Sequence, residues 1–148
     1  MDLGLAGKRA LVTGSTAGIG FAVAQALAAE GAEVTINGRT SARVERTVVR
    51  LREHGAKAVH GIAADLGTRA GVDALVARLP EVDVLVNNVG IFEPKEFTAI
   101  TDEDWLRFFE VNVLSGVRLS RAYLPSMKRR GWGRIVFISS ESGRAIPS

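Results

Sequence analysis

The chain has 148 residues, of which 47% are apolar and 24% are charged, and its formal net charge is +3. This length and composition are typical of one globular domain that can bury a substantial core. The absence of cysteine excludes disulfide bonds and cysteine-based metal sites, and the two histidines do not have metal-ligand spacing. The basic residues are spread along the chain, so we expect no nucleic-acid partner. No apolar run has membrane-spanning length and the first residues lack a signal-peptide pattern, so the predicted location is the cytoplasm.

Short apolar runs alternate with segments of helical spacing along the chain. The apolar runs predict five strands, at Arg9–Thr13, Glu33–Asn37, Ala58–Ile62, Val82–Asn87 and Arg134–Ser139. Helices are predicted between these strands. The longest helix is expected over residues 101–130, where Thr101 can cap the first turn and Pro125 should kink the helix or end it early.

Five consecutive strand–helix units with nearly continuous apolar strands indicate a parallel sheet covered by helices on both faces. Right-handed crossovers favour a doubly wound α/β fold of the Rossmann type, as one domain over residues 1–148, with strand order 3-2-1-4-5. In such a sheet, ligands bind beyond the carboxyl ends of the strands, at the switch point between strands 1 and 4. The loops that follow the five strands should therefore meet at one edge and form a dinucleotide site.

A glycine-rich turn, Thr13–Gly20, joins the first predicted strand to the first predicted helix. Backbone N–H groups and a helix N-terminus at such a turn favour an anion. The glycines Gly14, Gly18 and Gly20 would allow a tight turn, close approach of a pyrophosphate and close packing of the helix on the strand. The alternative interpretation is a turn that is merely flexible.

With its other motifs, the sequence resembles the short-chain dehydrogenase/reductase family over essentially its whole length. The matching motifs are Gly14-x-x-x-Gly18-x-Gly20 with Thr13 ahead of it, Asp65, Asn87-Asn88-Val89-Gly90, Asn112 and Ile138-Ser139-Ser140. Valine at position 89 replaces the alanine of the family motif Asn-Asn-Ala-Gly. The resemblance implies a nicotinamide-dependent oxidoreductase that interconverts a small carbonyl compound and an alcohol.

Cofactor contacts follow from the same resemblance. Asp65 would accept a hydrogen bond from the adenine amino group, although it could equally cap the helix that follows it. Ile19 would lie under the cofactor, and Gly90 would let the backbone pass close to a ribose. The complete set that we expect from the turn and the resemblance is Thr13, Gly14, Ser15, Gly18, Ile19, Gly20, Asp65, Leu66, Asn88 and Gly90.

The end of the second strand bears on the choice between NADP(H) and NAD(H). An NAD enzyme usually has an acidic side chain there, which binds the ribose 2′-hydroxyl and repels a 2′-phosphate. This chain instead reads Asn37-Gly38-Arg39, and Arg39 can pair with a phosphate dianion, with Arg43 one helical turn further on. We therefore predict NADP(H) over NAD(H). The alternative is that both arginines are solvated surface residues.

Two residues are candidates for catalysis. By resemblance, Ser140 would hydrogen-bond the substrate oxygen, and it fits the family position better than Ser139. Asn112 shares a helical stripe with apolar residues and is expected to face inward. By resemblance Asn112 would hold a water molecule that links the active site to solvent, and otherwise it would be a hydrogen-bonded core residue. Tyr123 has no lysine four residues later, so we assign it to packing.

The sequence departs from the family after Ser140. The family's general base is a tyrosine followed four residues later by a lysine, and neither residue occurs after Ser140. We therefore expect the chain to be the N-terminal portion of a longer reductase, with a sheet that is incomplete beyond the fifth strand. By itself it should bind the cofactor poorly and have little activity. The expected partners are a small carbonyl or alcohol substrate and, because the long helix resembles the family's dimerisation helix, further copies of the chain in a dimer or tetramer. The alternative is that the apolar residues of this helix pack in the core of the same chain.

Two other functions remain open from the sequence. The first is a non-catalytic NADP(H)-binding module, which would also lack the tyrosine–lysine pair. The second is an S-adenosylmethionine-dependent methyltransferase. That class usually has an acid before the glycines and another after the second strand, where this chain has Thr13 and Gly38.

Overall fold

Five parallel strands form a single sheet in the computed structural model, which describes residues 2–140. Their order is β3-β2-β1-β4-β5, so the predicted fold class and strand order are confirmed. The strands are β1 (Arg9–Val12), β2 (Glu33–Gly38), β3 (Val59–Ala63), β4 (Val84–Asn87) and β5 (Arg134–Phe137). Each lies within a residue or two of its predicted position. In the described part of the chain β5 is an edge strand, and its Val136 and Phe137 are exposed.

Helices cover both faces of the sheet. They are α1 (Gly18–Ala29), α2 (Ser41–Glu53), α3 (Arg69–Arg78), α4 (Asp102–Phe109) and α5 (Ser115–Arg130). A short 3₁₀ turn covers Phe97–Ala99, and one π-helical turn, Glu110–Leu114, joins α4 directly to α5. Within the described residues no helix is both long and apolar enough to cross a membrane.

The long helix starts where the sequence predicted but does not end early. The Thr101 hydroxyl accepts a hydrogen bond from Asp104 N at 3.2 Å, and an Asp104 carboxylate oxygen accepts one from Thr101 N at 3.1 Å. These two bonds form a capping box. The early end predicted for Pro125 is wrong, because α5 continues through it to Arg130. Pro125 and Arg121 lie on the exposed side of α5, where water can bond the carbonyl that lacks a helical partner.

The core consists of two clusters, one on each face of the sheet, because neighbouring strand residues point to opposite faces. Within β1, Ala10 and Val12 pack with α1 and α2, whereas Leu11 packs with α3 and α5. All three residues are essentially inaccessible to solvent. The central strand β1 is therefore fixed from both faces, and the turn that follows it starts from a rigid position.

An ion-pair cluster closes the end of the sheet that is opposite the predicted site. An Asp83 carboxylate oxygen accepts a hydrogen bond from Arg9 N at 2.9 Å, and the carboxylate pairs with Arg130 at 3.0 Å. Partial burial alone raises the pKa of Asp83, but Arg9 and Arg130 outweigh it, so the pKa lies below its ordinary value of 3.8. The resulting stabilisation is present at neutral pH and is lost as the pH falls below that ordinary value.

Hydrogen bonds between the turn after β1 and the loop after β4 hold the opposite end of the sheet together. The buried Thr13 hydroxyl accepts bonds from Asn88 N at 2.9 Å and Val89 N at 3.1 Å. In the other direction, Asn88 Nδ2 donates to Thr13 O at 3.1 Å and to Gly14 O at 3.0 Å. Asn88 therefore ties the loop after β4 to the turn after β1. These bonds fix the distance between the two loops at the switch point.

The substitution Thr13→Val tests how much this network stabilises the fold. It keeps the side-chain shape and leaves Asn88 N and Val89 N without their acceptor, so we expect a loss of ~2 kcal/mol in the free energy of unfolding. The matched control is Thr35→Val, because Thr35 is also buried in the sheet but its side chain has no hydrogen bond within residues 2–140. Urea denaturation measures both variants. Equal effects of the two substitutions would contradict a special role for Thr13.

Candidate nucleotide-binding site

A cleft of about 670 Å³ lies at the carboxyl ends of the strands, where the sequence predicted the site. It is bounded by the turn after β1, the end of β2, the loops after β3 and β4, and the π-helical turn. Six of the predicted cofactor residues line it: Gly14, Arg39, Asp65, Leu66, Asn88 and Gly90. The fold therefore brings four separate loops together around one space.

The glycine-rich turn presents backbone atoms to its surroundings. A side chain at Gly20 could not be accommodated, because a Cβ atom there would lie 2.5 Å from Asn88 Nδ2 and 2.6 Å from Gly14 O. Gly14 has a left-handed backbone conformation with φ of 58° and packs against the backbone of Val89. At the start of α1, Ala17 provides no side-chain cap, so the first N–H groups of the helix are available to a ligand. This arrangement fits a pyrophosphate.

Two residues of the turn, Thr13 and Ser15, have structural roles in the described part of the chain. The fully buried Ser15 hydroxyl donates to Val12 O at 2.6 Å and accepts from Asn37 N at 3.0 Å, and Ser15 N donates to Asn37 O. The Thr13 hydroxyl is occupied by the loop after β4. Neither residue lines the cleft. Both hydroxyls hold the turn in place, and the predicted cofactor contacts of Thr13 and Ser15 stay predictions.

Asn37 was not among the predicted site residues, although it connects three parts of the site. Its Oδ1 accepts a hydrogen bond from Gly14 N at 3.3 Å, and its Nδ2 donates to Ile62 O at 3.1 Å and Ala64 O at 3.2 Å. Asn37 is the buried second-to-last residue of β2 and lines the cleft. The sequence feature that could have identified Asn37 is a polar residue at the carboxyl end of a predicted buried strand.

The two predicted phosphate-binding arginines lie at the same end of the cleft. Arg39 follows β2 and Arg43 lies in the first turn of α2, and both line the cleft. Within residues 2–140, neither guanidinium has a hydrogen bond or an ion pair with the protein. Thr40, the residue before α2, also lines this end and provides no side-chain cap for the helix. Two unpaired cations beside open helix N–H groups suit a phosphate dianion.

The loop after β3 forms the opposite wall. Asp65 Oδ1 accepts a hydrogen bond from Gly67 N at 3.0 Å and is exposed at the cleft, whereas Leu66 is buried. The helix-capping alternative for Asp65 is wrong, because Thr68 caps α3 by accepting from Gly71 N at 3.0 Å. An exposed carboxylate at this position can accept a hydrogen bond from an amino group of a ligand.

Asn112 does not face inward as predicted. The π-helical turn breaks the regular spacing, so Leu119 is buried whereas Trp105 is 60% exposed and Asn112 is also exposed. The Asn112 side chain pairs with the backbone of Ile91, with Oδ1 accepting from Ile91 N at 2.7 Å and Nδ2 donating to Ile91 O at 3.1 Å. The π-helical turn thus fixes the loop after β4 next to the cleft.

The π-helical turn and the helix before it add further cleft residues that the sequence did not single out. Val111 and Arg107 line the cleft, and Arg107 pairs with Glu93. Val111 precedes Asn112 and its methyl groups lie over Gly67, so the long helix contacts the loop after β3. The other predicted residues of the turn, Gly18, Ile19 and Gly20, do not line the cleft directly.

The candidate serine follows β5, and Ser139 and Ser140 are both exposed. The hydrogen bond from Ile138 N to Asn87 O, at 2.9 Å, places this segment beside the loop after β4. Tyr123 has the packing role predicted for it: it is fully buried and donates to Leu79 O at 2.8 Å. Burial raises the pKa of the Tyr123 phenol, so this side chain is unsuited to proton transfer.

Comparisons with known proteins agree with the fold. The short chain dehydrogenase family model matches residues 8–147. The chain is 54% identical over 143 residues to the uncharacterized oxidoreductase YvaG of Bacillus subtilis, and 35% identical over 148 residues to the 3-oxoacyl-[acyl-carrier-protein] reductase FabG of Aquifex aeolicus. These matches cover 96% and 97% of this chain but only 54% and 59% of the two relatives. The chain thus spans somewhat more than half of their length.

A solved structure gives the same result. The L-sorbose reductase from Gluconobacter frateurii, which was crystallised with NADPH and L-sorbose, superposes with a TM-score of 0.88 and 37% identity over 93% of this chain and 54% of that chain. The cleft, the glycine-rich turn and the family match over nearly all residues lead to one conclusion. The chain belongs to the short-chain dehydrogenase family of oxidoreductases.

Proposed function

We propose that the chain forms the NADP(H)-binding portion of an oxidoreductase that interconverts a small carbonyl compound and its alcohol. The observation that carries the cofactor preference is the end of β2. Gly38 occupies the position of the acid that binds the ribose 2′-hydroxyl in NAD enzymes, and Arg39 and Arg43 line the adjacent cleft with no side-chain partner among residues 2–140. The NADPH in the sorbose reductase crystals supports the same assignment.

Among the described residues, some would bind the cofactor and others would assist the reaction. When bound, the nicotinamide cofactor supplies the hydride that is exchanged with the substrate carbon. The backbone around Gly14 and the open end of α1 would hold the pyrophosphate, and Asp65 would accept from the adenine amino group. The Ser140 hydroxyl would donate to the substrate oxygen, where negative charge develops. Asn112 would keep the loop at Ile91 in place beside the reacting groups.

We place the general base outside residues 2–140. Tyr123, the only tyrosine in the sequence, is buried and bonded to Leu79 O. Proton transfer in such a reaction needs a group whose pKa lies near the working pH. Burial raises the pKa of the Tyr123 phenol and so moves it further from that range. Turnover therefore depends on chain segments that the described residues do not include.

We also propose that the protein functions as a homo-oligomer. The side chains of Trp105, Leu106 and Phe109 on α4 are 52–66% exposed and form an apolar surface on the long helix. Contiguous apolar side chains of this size are typical of association surfaces. The matching face on a second copy of the chain would bury them by a two-fold arrangement.

The first test compares binding of the two cofactors. We expect NADPH to bind more tightly than NADH, and Arg39→Gln to weaken NADPH binding roughly tenfold, or about 1.4 kcal/mol, with little effect on NADH. The matched control is Arg46→Gln, because Arg46 is exposed on α2 but does not line the cleft. Titration of the nucleotide fluorescence measures each affinity. Tighter binding of NADH by the unmodified chain would overturn the preference.

The second test concerns Ser140. The assay needs a polypeptide that contains residues 1–148 and reduces a carbonyl compound with NADPH. In it, Ser140→Ala should lower kcat by about 10²–10³-fold, because the substrate oxygen loses a hydrogen-bond donor. Ser139→Ala is the matched control and should retain most of the activity. The NADPH dissociation constant should be the same in both variants. A larger loss from Ser139→Ala would reverse the assignment of the two serines.

A further inference from the structure

We propose that Thr16 prevents position 38 from accommodating an acidic side chain, because Thr16 fills the space that such a side chain would need. This inference rests on the NADP(H) preference proposed above and explains why the acid that selects NAD(H) does not fit there. Arg39 and Arg43 attract a phosphate by charge. Thr16 acts separately, because its side chain excludes by shape the acid that would favour NAD(H).

Gly38 is held firmly at the end of β2. It pairs with Ala63 of β3, and its carbonyl accepts a hydrogen bond from Ala64 N at 2.9 Å. Its φ is not positive, so a residue with a side chain can adopt the same backbone conformation. The obstacle to an acid at this position is therefore the surrounding space rather than backbone strain.

Thr16 occupies that space. A Cβ atom at position 38 would lie 2.5 Å from Thr16 Cγ2 and 3.3 Å from Val44 Cγ2. The first distance is far below van der Waals contact, so the Thr16 side chain would have to move. Threonine has few alternatives, because branching at Cβ restricts χ1.

The Thr16 backbone has little freedom to retreat. The preceding residue, Ser15, is fully buried and bonded to Val12 O and to the backbone of Asn37. From the other side, the Thr47 hydroxyl of α2 contacts Thr16 O at 3.4 Å. The clash is relieved most directly by shortening the side chain at position 16.

A single acidic substitution at position 38 should therefore fail to create an NAD(H) site. We compare the unmodified chain with T16A, G38D and T16A/G38D by fluorescence titration with NADPH and NADH. We expect G38D to lose NADPH affinity through charge repulsion and to gain less than about threefold for NADH. The double variant should bind NADH about tenfold more tightly than G38D. Equal NADH affinities of G38D and the double variant would overturn the steric role of Thr16.

A second pair of variants separates shape from charge. Thr40 is exposed and also lines the cleft, so T40D adds a carboxylate at the same end of the cleft without adding a side chain at position 38. Adding T16A to T40D should leave its NADH affinity unchanged within about twofold. An equal gain in both backgrounds would mean that T16A acts generally, and would contradict the proposal.

Folding of the variants provides an independent readout. If neither aspartate variant folds, thermal unfolding of G38A and T16A/G38A tests the steric contact instead. These variants suffice because a Cβ atom alone produces the contact with Thr16. We expect G38A to lower the Tm and T16A to restore part of the loss; no restoration would overturn the proposal. If the unmodified chain binds NADH more tightly than NADPH, the proposed preference fails, whereas the steric coupling between positions 16 and 38 is still measured by these variants.

Discussion

The contact between the turn after β1 and the loop after β4 is the constraint on which the site depends. Thr13 and Asn88 exchange hydrogen bonds through side chains and backbone, so the two loops can neither separate nor slide. Because β1 is buried on both faces, this contact is anchored in the most rigid part of the sheet. Asn37 and Asn112 extend the same principle to the loops beside it, since each uses its amide to hold backbone of another segment.

Side-chain amides and hydroxyls therefore build the frame, and the surface offered to a ligand consists largely of backbone and a few charged groups. Backbone N–H groups at an uncapped helix start suit phosphate oxygens, whichever nucleotide carries them. Selectivity between NADP(H) and NAD(H) therefore depends on the residues near the end of β2. There Arg39 and Arg43 supply positive charge, and the close packing of Thr16 on Gly38 removes the place for a negative one.

The fold could be predicted well because it depends on patterns that the sequence shows directly. Apolar runs, helical spacing and the glycine turn specify the strands, their order and the edge at which the loops meet. The roles of individual residues were harder to predict. The structural role of Ser15 was not foreseen, because its hydroxyl bonds Asn37 of another strand and the position of that strand is not visible in the local sequence. The π-helical turn moved Asn112 to the surface, and no local spacing rule foresees one inserted residue.

The central claim is that one phosphorylated dinucleotide lies across the carboxyl ends of the strands. Titration with NADPH, followed by the NMR shifts of the backbone amides, tests this claim most directly. We expect saturable shift changes at Gly14, Gly18, Arg39, Asp65 and Asn88, in four separate loops. Amides at the opposite end, such as Asp83 and Gly131, should stay unchanged. Saturable changes centred on that opposite end, or confined to a single loop, would contradict it.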